Sequence, residues 1–205
     1  MGKTTLAVDL VCNYIMRNVR RCYAVSPTFY QQDALARFRN IPGAFPRNRV
    51  WTIATDQVFE RIFTIQNRDR DIPAFLFVDD SAAESSTNKG NKGAFARLCL
   101  AAPHLNLSIV GCFQRLTACS PAFRDNCEAL ISFIPTKIED VGTIVSEFNA
   151  YPAHEKTKQL IRKALVYAWQ NARFCFIYRE KFTGKVYYFA GFNQPIRVEL
   201  KNVIR

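Results

Sequence analysis

Histidine is nearly missing from this chain: there are two in 205 residues, His104 and His154, and no cluster of metal-ligating residues surrounds either. Histidine-based zinc sites and Ser-His-Asp or Cys-His nucleophile systems therefore find no support. No C-x-x-C pair occurs among the seven cysteines, and their number is odd. That favours free thiols in a reducing compartment over a disulfide frame. No apolar run approaches the ~18 residues that a membrane helix needs, so no membrane span is expected. The opening Gly2-Lys3-Thr4-Thr5 does not read as a signal peptide. Internal repeats and low-complexity tracts are also lacking. Acidic residues are scarce, 17 against 28 Lys and Arg, which leaves a net charge of +11.

What is present suits one globular unit. Hydrophobic residues make up 49% and charged residues 22%, enough apolar material for one sizeable core. The charge is unevenly spread. Residues 1–150 carry 17 basic and 14 acidic side chains, a balance of +3, whereas residues 151–205 carry 11 and 3, a balance of +8. A basic excess concentrated at one end points to a polyanionic partner. Nucleic acid fits better than membrane, because no basic amphipathic anchor stands out.

Hydrophobic periodicity predicts alternating helices and strands. Residues 4–20 read as a helix, Cys22 to Val25 as a short buried strand stopped by Ser26-Pro27, and residues 30–40 as helical. A further strand at Trp51–Ile53 and a helix near Gln57–Gln66 follow. Phe75-Leu76-Phe77-Val78 lacks alternation, as a strand buried on both faces of a parallel sheet does. Ser81 to Gly93 reads as a loop, residues 94–102 as a helix, and Leu107–Phe113 and Leu130–Ile134 as further buried strands. The character changes near Tyr151. A basic helix over 154–172, with Leu160, Ala164, Tyr167 and Ala168 on one face, leads to a hairpin around Thr183-Gly184. The expected fold class is α/β with a mostly parallel sheet, plus this C-terminal basic helix and β-hairpin.

Three short motifs carry chemistry. Gly2-Lys3-Thr4-Thr5 before an apolar helix matches the end of a phosphate-binding loop, G-x-x-x-x-G-K-[ST]. In such a loop the lysine reaches the β- and γ-phosphates, the hydroxyl (here Thr4) holds Mg²⁺, and the helix N-terminus offers N–H groups to the anion. The apolar run 75–78 ends in Asp79 and Asp80, as in a Walker B strand: Asp79 as the metal carboxylate, Asp80 as the group that polarises the attacking water. Gln114 ends the next strand, where its amide can lie beside the γ-phosphate or its water. Arg124 comes ten residues later and is the candidate arginine finger, with Arg97 as its rival.

Together, G-K-T-T-L, F-L-F-V-D-D, L-N-L-S-I-V-G-C-F-Q and S-P-A-F-R-D-N-C resemble the FtsK–HerA superfamily. Within it the chain is most similar to the poxvirus A32-like genome-packaging ATPases of large DNA viruses and virophages. The resemblance rests on the acidic pair, on His104, Asn106, Ser108 and Ile109 at the strand entry, on the strand-end glutamine, and on Pro121 and Arg124. It covers Gly2 to about Phe148.

The resemblance implies a RecA-like P-loop core and a ring of identical subunits that translocates double-stranded DNA at the expense of ATP and Mg²⁺. It casts Gly2, Lys3, Thr4 and Thr5 as the nucleotide loop, Thr4 and Asp79 as metal ligands, Asp80 and Gln114 as catalytic, and Arg124 as the finger. Implied partners are viral capsid proteins at a portal or vertex, and the implied location is host cytoplasm or viral factory, with association to the virion. The family carries a strand and a first glycine ahead of G-K-T-T. Residues 1–150 are thus expected to be an ATPase core lacking its first strand and the start of the Walker A loop through truncation, with 151–205 completing the same domain. Asp80 stands where many relatives carry Glu.

The alternative is a non-catalytic DNA-binding derivative that has lost hydrolysis with the loop. A nucleotide kinase or a helicase loader is a weaker P-loop option. Lys89-Gly90-Asn91-Lys92-Gly93 and the run Lys156, Lys158, Arg162, Lys163 are candidate contacts to DNA phosphates. Phe174, Phe176, Tyr187, Tyr188 and Phe189 are expected to be core residues of strands rather than base-stacking platforms.

Overall fold

The computed structural model describes residues 2–80, 92–135, 137–148, 155–180 and 183–197. Lys89-Gly90-Asn91, Tyr151 and His154 lie outside the described residues. The chain divides into two compact units, Met1–Phe123 and Arg124–Arg205.

The first unit holds a parallel sheet of β1 (Arg21–Val25), β2 (Val50–Trp51), β3 (Ala74–Asp79) and β4 (Leu107–Cys112), in the order β2-β1-β3-β4. Its helices are α1 (Lys3–Leu10), the short α2 (Ala36–Arg39), α3 (Asp56–Arg68) and α4 (Ala94–Ala101). Every residue of β1 and β3 is buried, as strands covered on both faces must be. Alternate side chains leave the sheet on opposite sides. Tyr23, Val25, Leu76 and Val78 meet Phe59 and Ile62 of α3 and Phe95 and Leu98 of α4. Cys22, Ala24, Phe75 and Phe77 instead meet Val8 of α1, Val11 and Phe38. The uninterrupted apolar runs thus encode a helix–sheet–helix sandwich, and the α/β expectation is met.

Local signals place the helices. The Thr55 hydroxyl caps α3 by accepting from the Val58 N–H at 3.3 Å. Asp56 accepts from the Ala94 N–H at 3.3 Å and so serves the start of α4. At the amino end of the sheet the fully buried Gln66 gathers five contacts. Its oxygen accepts from Arg21 and Tyr23, both at 3.3 Å, and its amide donates to the carbonyls of Ile72 (2.6 Å), Leu105 (3.0 Å) and Asp69 (3.3 Å). β4 is less enclosed than its neighbours, with only Leu107 fully buried.

The second unit carries an antiparallel sheet of β5 (Ala129–Phe133), β6 (Phe174–Arg179), β7 (Val186–Ala190) and β8 (Gln194–Ile196), in sequential order. It also holds α6 (Ile138–Glu147) and α7 (Glu155–Ala172), and the short α5 (Pro121–Asp125) lies where the units meet in sequence. The hairpin of β6 and β7 forms as expected. β5 corrects the sequence reading: it is not a buried strand, because it pairs antiparallel with β6 and only Ser132 is fully buried. The buried face of α7 is also rotated. It runs through Thr157, Ile161, Ala164, Leu165 and Ala168, leaving Tyr167 exposed. The sequence reading drew its boundary at 150, whereas the second compact unit starts at Arg124.

All seven cysteines are free thiols. No helix among the described residues is long and apolar enough to cross a membrane.

Candidate functional site

The carboxyl ends of β3 and β4 meet the start of α1. Gly2 makes that start possible: its φ of 151° and ψ of 7° suit a residue without a β-carbon. Its carbonyl accepts from the Leu6 N–H at 2.9 Å, so helix begins at once at Lys3. The first-turn N–H groups lack intrahelical partners by construction and are the natural place for an anion. Thr5 is exposed on this turn.

Two side chains tie α1 to the sheet. The Lys3 ammonium donates to the Phe113 carbonyl at 3.3 Å, and the Thr4 hydroxyl donates to Asp79 Oδ1 at 3.2 Å. Asp79 is the last residue of β3 and is only 3% exposed. Burial pushes its carboxyl up to about 6; the Thr4 hydrogen bond and the Lys3 ammonium oppose the rise, and the Asp80 charge adds to it. Directly across the ladder sits Cys112, whose thiol burial and the Asp79 charge push up to about 12. Both effects favour the neutral thiol over the nucleophilic thiolate.

Asp80 breaks the strand. Its φ is 50°, a left-handed conformation that aspartate tolerates better than most residues, and its N–H donates to the Cys112 carbonyl at 3.1 Å. The turn exposes the carboxylate, and the amide of the equally exposed Gln114 donates to its Oδ1 at 2.7 Å. Gly111 shapes the approach of β4, because a β-carbon there would collide with the Phe113 ring. That ring packs against Phe123 at 5.5 Å, which fixes the backbone whose carbonyl holds Lys3.

Lys3, Thr4, Asp79, Asp80 and Gln114 are therefore joined at one end of the parallel sheet, with Gly2 and Thr5 beside them. The Phe113 carbonyl is the participant that sequence reading missed, since main-chain acceptors leave no mark on residue type. Arg124 belongs to the second unit, where its Nε donates to Glu147 at 2.8 and 3.0 Å and its side chain is 13% exposed. Arg97 is ion-paired with Glu60.

The donor set suits Mg²⁺. A hydroxyl and a buried carboxylate are hard oxygen ligands already in contact, and Mg²⁺ ordinarily takes one or two carboxylates together with substrate phosphates and water. No group of three or more His, Cys, Asp or Glu able to hold a metal occurs among the described residues, so an all-protein cage finds no support there.

No protein-family model and no curated protein sequence matches the chain. Solved structures do. B204, the DNA-packaging ATPase from Sulfolobus Turreted Icosahedral Virus, matches with a TM-score of 0.61 at 10% identity, over 91% of this chain and 92% of that one. The genome packaging NTPase B204 from Sulfolobus turreted icosahedral virus 2 matches in complex with AMPPCP (TM-score 0.58, 11% identity, 91% and 92% covered). Its complex with AMP matches as well (TM-score 0.60, 10% identity, 90% and 91% covered). At such identities the likeness is one of fold: the chain has the NTPase fold of these viral packaging proteins, as the motif resemblance implied.

Proposed function

We propose that the chain is a viral genome-packaging ATPase that couples hydrolysis of ATP to movement of double-stranded DNA into a capsid. One observation carries the reading: Lys3, Thr4, Asp79, Asp80 and Gln114 converge at the carboxyl end of a parallel sheet. In open α/β sheets that end is where ligands bind. The likeness to B204, which was solved with AMPPCP and ATP-gammaS, supports nucleotide binding.

The roles follow from the chemistry of each group. Lys3 exchanges the Phe113 carbonyl for the β- and γ-phosphates, and the first turn of α1 supplies N–H donors beside it. Thr4 and Asp79 would hold Mg²⁺, which would supply neutralisation of charge developing on the phosphates. Asp80 orients the attacking water and draws its proton toward the carboxylate. Gln114, hydrogen-bonded to that carboxylate, fixes its direction and responds to the γ-phosphate. Arg124 trades the Glu147 carboxylate for the phosphate of a neighbouring subunit in a homo-oligomeric ring. Lys156, Arg162 and Lys163 are exposed on α7 and grip the DNA backbone without reading sequence. Capsid proteins at the packaging vertex complete the assembly, which acts in host cytoplasm or viral factory and associates with the virion.

The test is steady-state ATP hydrolysis by the chain with and without duplex DNA, beside an Asp80→Asn variant. The reading expects DNA-stimulated turnover that falls roughly a hundredfold or more in the variant. DNA binding without any hydrolysis would instead favour a non-catalytic DNA-binding derivative.

A further inference from the structure

The antiparallel sheet of the second unit has two unlike faces. Cys175, Ile177, Tyr188 and Ala190 are buried on one of them, the side packed by α7. The other is aromatic and only partly covered. Phe174 meets Phe192 at 4.9 Å, Phe192 meets Phe176 at 5.5 Å, and Phe176 meets Phe189 across the β6–β7 pair at 5.6 Å. Tyr178 and Tyr187 stack at 6.3 Å with planes 21° apart. Of the aromatics expected in a core, Tyr188 is buried but Tyr187 is 42% exposed, and Tyr178 and Phe192 are 40% and 38% exposed. A shallow cleft beside β7 and β8 takes its wall from both faces of the sheet, Tyr187, Phe189 and Pro195 on this side and Tyr188 and Ile196 on the other, together with Arg197.

We infer that this aromatic face is a binding platform for single-stranded nucleic acid. Exposed rings in a contiguous set mark a partner site, and every unpaired base offers a flat π-face that stacks on Tyr or Phe whatever its sequence. The surroundings fit the backbone that must accompany such bases: Arg197 lines the cleft, and Lys185 and Arg173 are exposed at the strand ends. Glu128 and Glu180 are acidic residues adjoining β6, and the Glu180 carboxylate is engaged by the Thr183 hydroxyl. A second copy of the chain fits less well, because docking two such faces would bring together two units that each carry 13 basic and 8 acidic residues over 124–205, a balance of +5. A duplex fits less well too, since stacking within the double helix hides the base faces. The platform belongs to the second unit alone and does not depend on hydrolysis at the carboxyl ends of β3 and β4.

The experiment measures anisotropy of a fluorescein-labelled oligothymidylate of about 12 nucleotides, within the usual reach of such platforms. A duplex of similar length serves as the comparison. The double variant Tyr178→Ala/Tyr187→Ala is expected to lose oligothymidylate affinity by about tenfold or more while duplex affinity holds. Tyr178→Phe/Tyr187→Phe should retain both, because stacking needs the ring and not the hydroxyl. Lys3→Ala should leave oligothymidylate binding unchanged, which separates failure of this inference from failure of the ATPase reading. Unchanged affinity in the alanine variant overturns the inference, as does the lack of oligothymidylate binding by the wild type, or a wild-type dimer that the variant abolishes. Should the variant unfold, photocrosslinking of an iodouracil-bearing strand to the wild type decides instead. Adducts on Tyr178, Tyr187 or Phe189 support the platform, and adducts only elsewhere overturn it.

Discussion

The two ends of the parallel sheet solve opposite problems with similar materials. At the amino end, Gln66 and Arg21 are buried and saturated: the amide makes five contacts and the guanidinium adds Asp69 at 2.8 Å. At the carboxyl end the links are part-buried or exposed: Lys3 reaches a carbonyl at 3.3 Å, Thr4 reaches Asp79 at 3.2 Å, and Gln114 holds Asp80 at 2.7 Å where both face water. Polar groups held this lightly can change partners, which is what a phosphate and a cation require. One end buys rigidity and the other keeps exchangeable bonds.

The contrast breaks most sharply at Asp79. Asp79→Asn should lower ATP turnover roughly a thousandfold, because the metal carboxylate is gone. Its effect on folding should be the reverse of ordinary active-site damage. In the metal-free chain the carboxyl sits at about 6 against the ordinary 3.8, so between those values the folded state holds a proton that the unfolded state has lost. That contribution is full below the unfolded value and lost as pH rises through 6. Thermal unfolding without Mg²⁺ should therefore find the Asn variant more stable than wild type at pH 8, with the gap closing toward pH 4.

Gln66→Ala attacks the other end. It strands the Tyr23 hydroxyl and the Leu105 carbonyl in a dry interior, with an expected cost of roughly 3 kcal/mol in urea unfolding. Turnover per folded molecule should hold. A variant that lost turnover and kept its stability would erase the distinction between the ends. Gln114→Ala sharpens the comparison with a smaller change. Turnover should fall about tenfold to a hundredfold, with stability inside about 0.5 kcal/mol because the side chain is exposed. Smallest is Arg124→Gln, which breaks the pair with Glu147 and should cost about 1–2 kcal/mol of stability. If Arg124 also reaches a neighbour's phosphate, mixing this variant with wild type will depress turnover more than dilution does.

Much of the carboxyl end was legible in sequence because its physics is local. An apolar run with no alternation must be covered on both faces, and the acids that end it must sit at the sheet's rim; Phe75–Val78 with Asp79 and Asp80 says as much. Gln66 was not legible. It closes a stretch that reads as an ordinary helix, and only the tertiary approach of Arg21, Tyr23 and Leu105 makes it a buried hub. β5 misled for a related reason: Leu130, Ile131 and Phe133 look like a buried run, but the direction of a strand depends on partners more than 40 residues away, Phe174 to Tyr178. α6, the helix Ile138–Glu147, went unread altogether, although its acids sit in the first turn where the helix dipole favours them. Tyr187 stands exposed where a core residue was expected, because alternation tells which residues share a side, not whether that side is covered.

The most direct measurement is Mg²⁺-dependent ATP hydrolysis by the wild type and Lys3→Ala in the presence of duplex DNA, with both proteins shown to be equally folded. The account predicts DNA-stimulated turnover in the wild type and a loss of roughly a hundredfold or more when the ammonium is removed. Equal turnover by the two proteins, or a folded wild type that neither binds nor hydrolyses ATP, would contradict it.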